Sequence, residues 1–370
     1  MGSLTASFAD TPGVSTTSMQ LSTPSMVSVT VTASTEAIRS IHLTSWQAGS
    51  TKYRHYLDKI LKDTVVNAVT IDIKEYQGEV YIPGVRSAKE AGAYVPAMPD
   101  IETWLVDLKK RGVYTIARIV VFKDDIMPRK RPALGVHNPL GELWYDKHHT
   151  TWLDPYNKDA WRYNLLIALQ ASKLGFDEVQ FDYIRFPTDG NLSQTRFRKP
   201  YSRNSASAAL VEFINQARQL LHPLGTKISI DVFGLTTSVS TGMGIGQLLG
   251  PMTAASDYVC PMVYPSHYAK GEYGIPNPNK EPYRTVHHSL TDAVRFLGPQ
   301  ESLKLRPYLQ DFSLGVHYGA REVRAQIKAA SDAGIQSWAL WNPRCIYTVS
   351  ALEKTPPPTP NSDHVAVSTP

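Results

Sequence analysis

GFDEVQFDYIRFP, residues 175–187, decides the fold. Gly175 reads as the stop of a preceding helix. Residues 178–184 alternate as a strand, with Gln180 and Asp182 on one face and Val179, Phe181 and Tyr183 on the other. Pro187 cannot donate to a ladder, so the strand ends near Arg185. A carboxylate and a guanidinium at the end of a buried strand are costly unless paired or used. The structural reading is an Asp182–Arg185 ion pair; the functional one is a site.

Working outward, residues 158–174 form the helix that Gly175 closes, with Asp154-Pro155 as its start signal and Trp161, Leu165, Ala168 and Leu169 as an inward stripe. Upstream, strands are expected at 40–45, 68–73 and 113–122, with helices at 52–62 and 101–110. Downstream, strands fall at 227–233, 257–263, 303–309 and 336–340, and helices at 205–221, 286–297 and 321–333. Eight β-then-α units in about three hundred residues predict a single-domain (β/α)8 TIM barrel over 38–353. The competitor, a doubly wound sheet, wants a Gly-rich phosphate turn after its first strand, where this chain reads SWQAGSTKY. No P-loop occurs, and GMGIG at 242–246 is too weak a phosphate cradle.

Residues 1–37 are Ser/Thr-rich and nearly uncharged, without the charged start and apolar run of a signal peptide. They read as a flexible linker, and 354–370 as a Pro/Thr/Ser-rich flexible tail. Such ends predict a domain of a longer exported protein, extracellular or at the cell surface; a cytoplasmic enzyme is the alternative. The net charge of +5 on 370 residues, with no basic stripe interleaved with aromatics, predicts no nucleic-acid partner. No apolar run reaches the roughly 20 residues of a membrane span.

In such a barrel, chemistry sits at the C-terminal ends of the strands. Those ends supply Asp72, Arg118, Asp182, Arg185, Asp231, Tyr264, His267, Gln310, Trp341 and Asn342. Carboxylates beside aromatics suit a sugar site, because pyranose faces lie on rings and hydroxyls bond to carboxylates and amides. Glycoside hydrolysis needs two carboxyl groups, one of them protonated near neutral pH. Asp182 leads as nucleophile or charge stabiliser, with Arg185 holding it ionised. Asp231, in the apolar context ISIDVFG, is the expected general acid. Asp72, with Lys74 nearby, is expected to be structural.

Other features read as background. His148-His149 and His287-His288 lack a carboxylate at ligand spacing, and no metal or organic cofactor is expected. Arg129-Lys130-Arg131 and the basic stretch 196–203 read as solvated loops; their functional reading is subsites for an acidic polysaccharide. Trp144 and Trp152 either stack sugars or pack the loop after the third strand. Cys260 and Cys345 read as buried small hydrophobes.

Four segments, 122–136 (FKDDIMPRKRPALGV), 141–187, 231–237 (DVFGLTT) and 261–283, closely resemble a bacterial family assigned to glycoside hydrolysis and long catalogued as a domain of unknown function. The family is related to the α-amylase-like barrels, and the resemblance runs from about residue 41 to 347. It implies a (β/α)8 barrel acting on polysaccharide, with Asp182 as nucleophile. Those barrels place a Glu acid after strand five, where this chain offers Asp231. The family's acidic pair after the strand-two lysine reads Glu75-Tyr76 here. The expected function is hydrolysis of a polysaccharide or oligosaccharide. The rivals are a non-catalytic carbohydrate-binding barrel and a metal-dependent carbohydrate deacetylase using His267 and the mouth Asp residues.

Overall fold

Eight parallel strands close on themselves in sequence order, each paired with the next and the last with the first. This computed structural model describes residues 36–354, so the expected linker over 1–37 and tail over 354–370 lie almost wholly outside the described residues. The strands are β1 (Arg39–Leu43), β2 (Ala68–Lys74), β3 (Tyr114–Val120), β4 (Glu178–Asp182), β5 (Lys227–Phe233), β6 (Tyr258–Met262), β7 (Tyr308–Gln310) and β8 (Trp338–Trp341). The (β/α)8 barrel is therefore the fold.

Local chemistry sets the boundaries. Ser50 caps the helix Thr51–Asp63 by accepting from the Tyr53 amide at 3.3 Å. Asn157, rather than Asp154, caps Lys158–Leu174, and Gly175 closes that helix at φ 102°, where a side chain would be strained. Asp154 instead holds the turn at the Tyr156 amide. The seventh strand is shorter than expected, because Ser302–Lys304 winds into a 3-10 turn and Pro307 has no N–H to donate.

The outward residues of each strand (Val179 and Phe181, Ile230 and Val232) pack under the helices; Phe181 meets Phe213 edge-on at 5.1 Å. The inward residues are largely polar and bonded to one another. Ser40 meets Thr70 at 2.8 Å, and the Tyr308 hydroxyl donates to Gln180 at 2.6 Å. Near the N-terminal end Arg306 is paired with Glu178, both buried. Such an interior is stable only when its groups satisfy each other, and it places charge at the barrel's other end.

Candidate active site

Parity and register deliver the site. The pairings Asp72↔Arg118, Val120↔Asp182 and Phe181↔Ile230 set the inward side chains of β2 to β5 side by side. One step beyond the last registered pair of β4 and β5, Asp182 and Asp231 stand on adjacent strands, spaced about 4.8 Å in any sheet.

Arg118 is the hub. Its Nη1 donates to Oδ1 of Asp72 at 2.5 Å and to Glu75 at 3.3 Å. Its Nε and Nη2 both donate to Oδ2 of Asp182, at 3.1 and 2.5 Å. The same Nε lies 3.9 Å from Oδ2 of Asp231. Because one atom is 3.1 Å from the first carboxyl and 3.9 Å from the second, the two oxygens are at most about 7 Å apart. That bound admits the retaining separation of roughly 5–5.5 Å and the lower edge of the inverting one, roughly 6.5–9.5 Å.

The surroundings split the titratable groups. Burial first, then the charge of Asp182, push the Asp231 carboxyl well above its ordinary range, and its Oδ1 has no hydrogen-bond partner. Burial, then the charge and hydrogen bond of Asp72, raise Glu75 to about 8, although Arg118 pulls the other way. His42 bonds Asp72 through Nε2 at 2.7 Å, and burial followed by Arg118 lowers it to about 3, so the imidazole is neutral. Protons on Asp231 and Glu75 reduce the charge that one guanidinium has to offset.

Asp182 is also held from the backbone. Tyr183 sits at φ 48°, a left-handed conformation unusual for a bulky residue, and its N–H donates to Oδ1 of Asp182 at 2.5 Å. Strain of this kind persists where the surroundings over-determine it. Above these groups opens a cavity of about 570 Å³ whose walls include Phe233, Tyr264, His267, Tyr268, Glu272 and Trp341. Gly234 lies in the wall because a methyl there would fall 2.5 Å from both the Met262 carbonyl and the Tyr268 hydroxyl.

Asp182, Asp231, Arg118, Arg185, Tyr264, His267 and Trp341 thus meet at one cavity. The other expected residues do not. Asp72 is fully buried behind Arg118 and His42. Lys74 is not its partner: a register shift after Asp72 turns Lys74 to Asp124 at 2.9 Å. Gln310 accepts from the Ser266 amide and donates to the Phe312 carbonyl; Asn342 donates to Asp311 and Ile346. Both amides hold loops.

The expected Asp182–Arg185 pair is also absent. The turn at Tyr183 carries Arg185 away, and its guanidinium lies among the rings of Trp152, Tyr183 and Phe233 at 5.0, 4.6 and 4.8 Å. Trp144 and Trp152 pack the long loop, Trp144 donating to the Asn191 carbonyl at 3.0 Å. Cys260 and Cys345 are buried free thiols.

Sequence reasoning passed over His42, Glu75 and Glu272 as site residues. The signal for His42 was its inward parity with Ser40; Glu75 followed a strand end directly, while Glu272 carries none in a loop. Among the described residues, the group whose donor atoms could share a metal ion is His42, Asp72 and Glu75, without His267. Arg118 already places its positive charge against both carboxylates there, which does not fit a deacetylase centre built on His267.

A closed barrel with paired carboxyl groups at its C-terminal mouth is the architecture of many glycoside hydrolases. The chain belongs to the family described as "putative glycosyl hydrolase domain", which matches residues 40–347. Among solved structures it is similar to the glycoside hydrolase domain of PgaB (BpsB) from Bordetella bronchiseptica, at 14% identity and a TM-score of 0.65, over 87% of this chain and 100% of that one. It is also similar to the α-galactosidase TtGalA from Thermus thermophilus, at 11% identity and a TM-score of 0.51, over 83% of this chain and 58% of that one. A hypothetical protein from Ruminiclostridium thermocellum is 34% identical, at a TM-score of 0.46, over 55% of this chain and 98% of that one. No curated protein matches. At their identities, the Bordetella and Thermus likenesses speak to the fold alone.

Proposed function

We propose that the protein hydrolyses glycosidic bonds of a polysaccharide, with Asp182 as nucleophile and Asp231 as general acid and base. One observation carries this reading: two carboxyl groups on neighbouring strands face one cavity in opposite environments. Arg118 offsets charge at Asp182 through two hydrogen bonds, while Asp231 is buried beside that charge with an oxygen left unpaired. In the first step, an Asp182 oxygen bonds to the anomeric carbon as the glycosidic C–O bond breaks, and the leaving oxygen takes the Asp231 proton. In the second, Asp231 takes a proton from water, whose oxygen displaces Asp182. The apolar and aromatic walls give sugar rings a surface to lie on. An extracellular or surface location belongs to the same proposal and rests on the Ser/Thr-rich and Pro-rich composition at the two ends.

The test is release of reducing ends from a panel of polysaccharides, with Asp182→Asn as control. We expect loss of turnover in the variant with an unchanged far-ultraviolet circular dichroism spectrum. Turnover retained by the variant would remove Asp182 from its role; binding without product from any polysaccharide would favour a carbohydrate-binding barrel instead.

A further inference from the structure

Arg185 is a buried cation that the hydrolytic scheme does not use. It is 6% exposed and lines the cavity. Among the described residues no carboxylate lies within 4 Å of it: its neighbours are the three rings of Trp152, Tyr183 and Phe233. Both of its hydrogen bonds leave from Nη1, to the Phe186 carbonyl at 3.1 Å and the Thr188 hydroxyl at 3.3 Å. Nε and Nη2 make no hydrogen bond to the protein by distance and angle, although Tyr183 and, from beyond ion-pair distance, the carboxylates of Asp182 and Asp189 favour the charged form. Neither nitrogen is sealed from solvent, and Arg185 is one of the residues that line the cavity.

A buried guanidinium without a directly paired carboxylate is expensive, and rings offset only part of that cost. Arg118 is committed to Asp72, Glu75 and Asp182, and burial depresses the basicity of His267. Arg185 is thus, among the described residues, a cation of this cavity without a carboxylate in direct contact, Asp182 and Asp189 acting on it only from farther off. Its two open donors are the side-on pair, the same nitrogens with which Arg118 grips Asp182. That planar pair matches a carboxylate in bidentate fashion.

A second observation points the same way. The loop that leaves Arg185 carries Arg196, Arg198, Lys199 and, at the start of the next helix, Arg203, all exposed. None of their side chains forms an ion pair within 4 Å among the described residues, although the Arg198 amide donates to Asp154 at 2.6 Å and its charge acts on that carboxyl. Arg196 donates to the Ser193 and Thr195 carbonyls, and Lys199 lies over Tyr156. This loop is bound to the Arg185 segment through Phe186, whose ring meets Tyr156, Phe197 and Tyr201. Four exposed cations thus lie on the loop that packs against the residue following Arg185.

We propose that the substrate is an acidic glycan, and that Arg185 binds the carboxylate of a uronic acid residue in the cavity while the basic loop accompanies the chain outside. The inference rests on the glycan-cleaving reading of the same site and adds the class of sugar.

The experiment measures binding of the Asp182→Asn protein to polygalacturonate, alginate and a glucuronate-containing xylan. Each is compared with the same polymer after chemical reduction of its carboxyl groups, so only the charge differs. Dextran sulfate is included as an anion without carboxylates. At least one native uronate polymer is expected to bind ten-fold or more tighter than its reduced form. Arg185→Gln should erase that difference, and Arg185→Lys, which keeps the charge but not the fork, should restore only part. Lys199→Ala with Arg203→Ala should weaken binding and lessen its dependence on salt. Equal binding of native and reduced polymers, binding of none, or dextran sulfate binding as well as the best uronate overturns the proposal. The comparison of native with reduced polymers is made on one protein and needs no substitution at Arg185. Asp182-dependent hydrolysis confined to reduced polymers would leave glycoside hydrolysis standing and remove the acidic substrate. Uronate-selective binding through Arg185 without cleavage of any polymer would do the reverse.

Discussion

Nη2 of Arg118 lies 2.5 Å from Oδ2 of Asp182, and both side chains are buried. The other Nη of the same guanidinium holds Asp72 and Glu75. Replacing Arg118 with Met removes one cation from among four carboxyl groups. Breaking a buried pair this way costs about 3–5 kcal/mol. The loss should shrink in acid, where the carboxyl groups neutralise themselves by protonation. Denaturant unfolding at two pH values checks this; an equal loss at both would mean that the cluster is not what Arg118 stabilises.

Glu75 gives stability its own pH dependence. Its folded value, about 8, lies above the ordinary 4.5. The native state therefore holds a proton that the unfolded chain has already released. Stability from this group is complete below the unfolded value and is lost as pH rises through the folded one. Glu75→Gln should flatten the fall in stability between roughly pH 4.5 and 8. Its unfolding midpoint should overtake that of the wild type at the alkaline end. Parallel curves for the two proteins would count against a protonated Glu75.

Asp231 as general acid makes a prediction about leaving groups. Asp231→Asn should slow cleavage of a polysaccharide by roughly 10²–10⁴-fold. Glycosides of an acidic phenol need no proton on departure, so their cleavage should suffer far less. Wild-type activity on the polymer should also fall at high pH as Asp231 deprotonates. If both substrate classes lose rate equally, Glu75, the other protonated carboxyl of the mouth, becomes the residue to replace.

Retention of anomeric configuration is the outcome expected of Asp182 as nucleophile. The bound of about 7 Å between the Asp182 and Asp231 oxygens covers the whole retaining window and only the lower edge of the inverting one. Proton nuclear magnetic resonance of the first product anomer reads the outcome, and an inverted product would contradict Asp182 as nucleophile.

The eight strands were legible because each apolar run is short, periodic and followed by a stop signal, as at Gly175 and Pro187. The mouth was legible by parity: Asp182 ends its strand and Asp231 lies two residues from the end of the next, each among alternating apolar residues. What could not be read was register, which belongs to pairs of strands. Arg118 was recognised as a mouth residue, yet its grip on Asp72 and Asp182 depends on two pairings that no single strand encodes. Arg185 shows how nearness in sequence misleads. It stands three residues from Asp182, but the left-handed Tyr183 between them sends it elsewhere. Gln310 and Asn342 looked like sugar ligands because they are amides at strand ends; loop carbonyls and amides consume them instead.

The ring of Trp341 on β8 lies 3.8 Å from that of His42 on β1, stacked at 23°, and the Tyr347 hydroxyl donates to the His42 carbonyl at 2.5 Å. The opening and closing strands of the barrel thus share the active mouth. Seven strands made and released from the ribosome still lack one wall of the cavity, and His42 stays uncovered. On the proposed reading, the site is complete only when the last strand has closed the ring on the first.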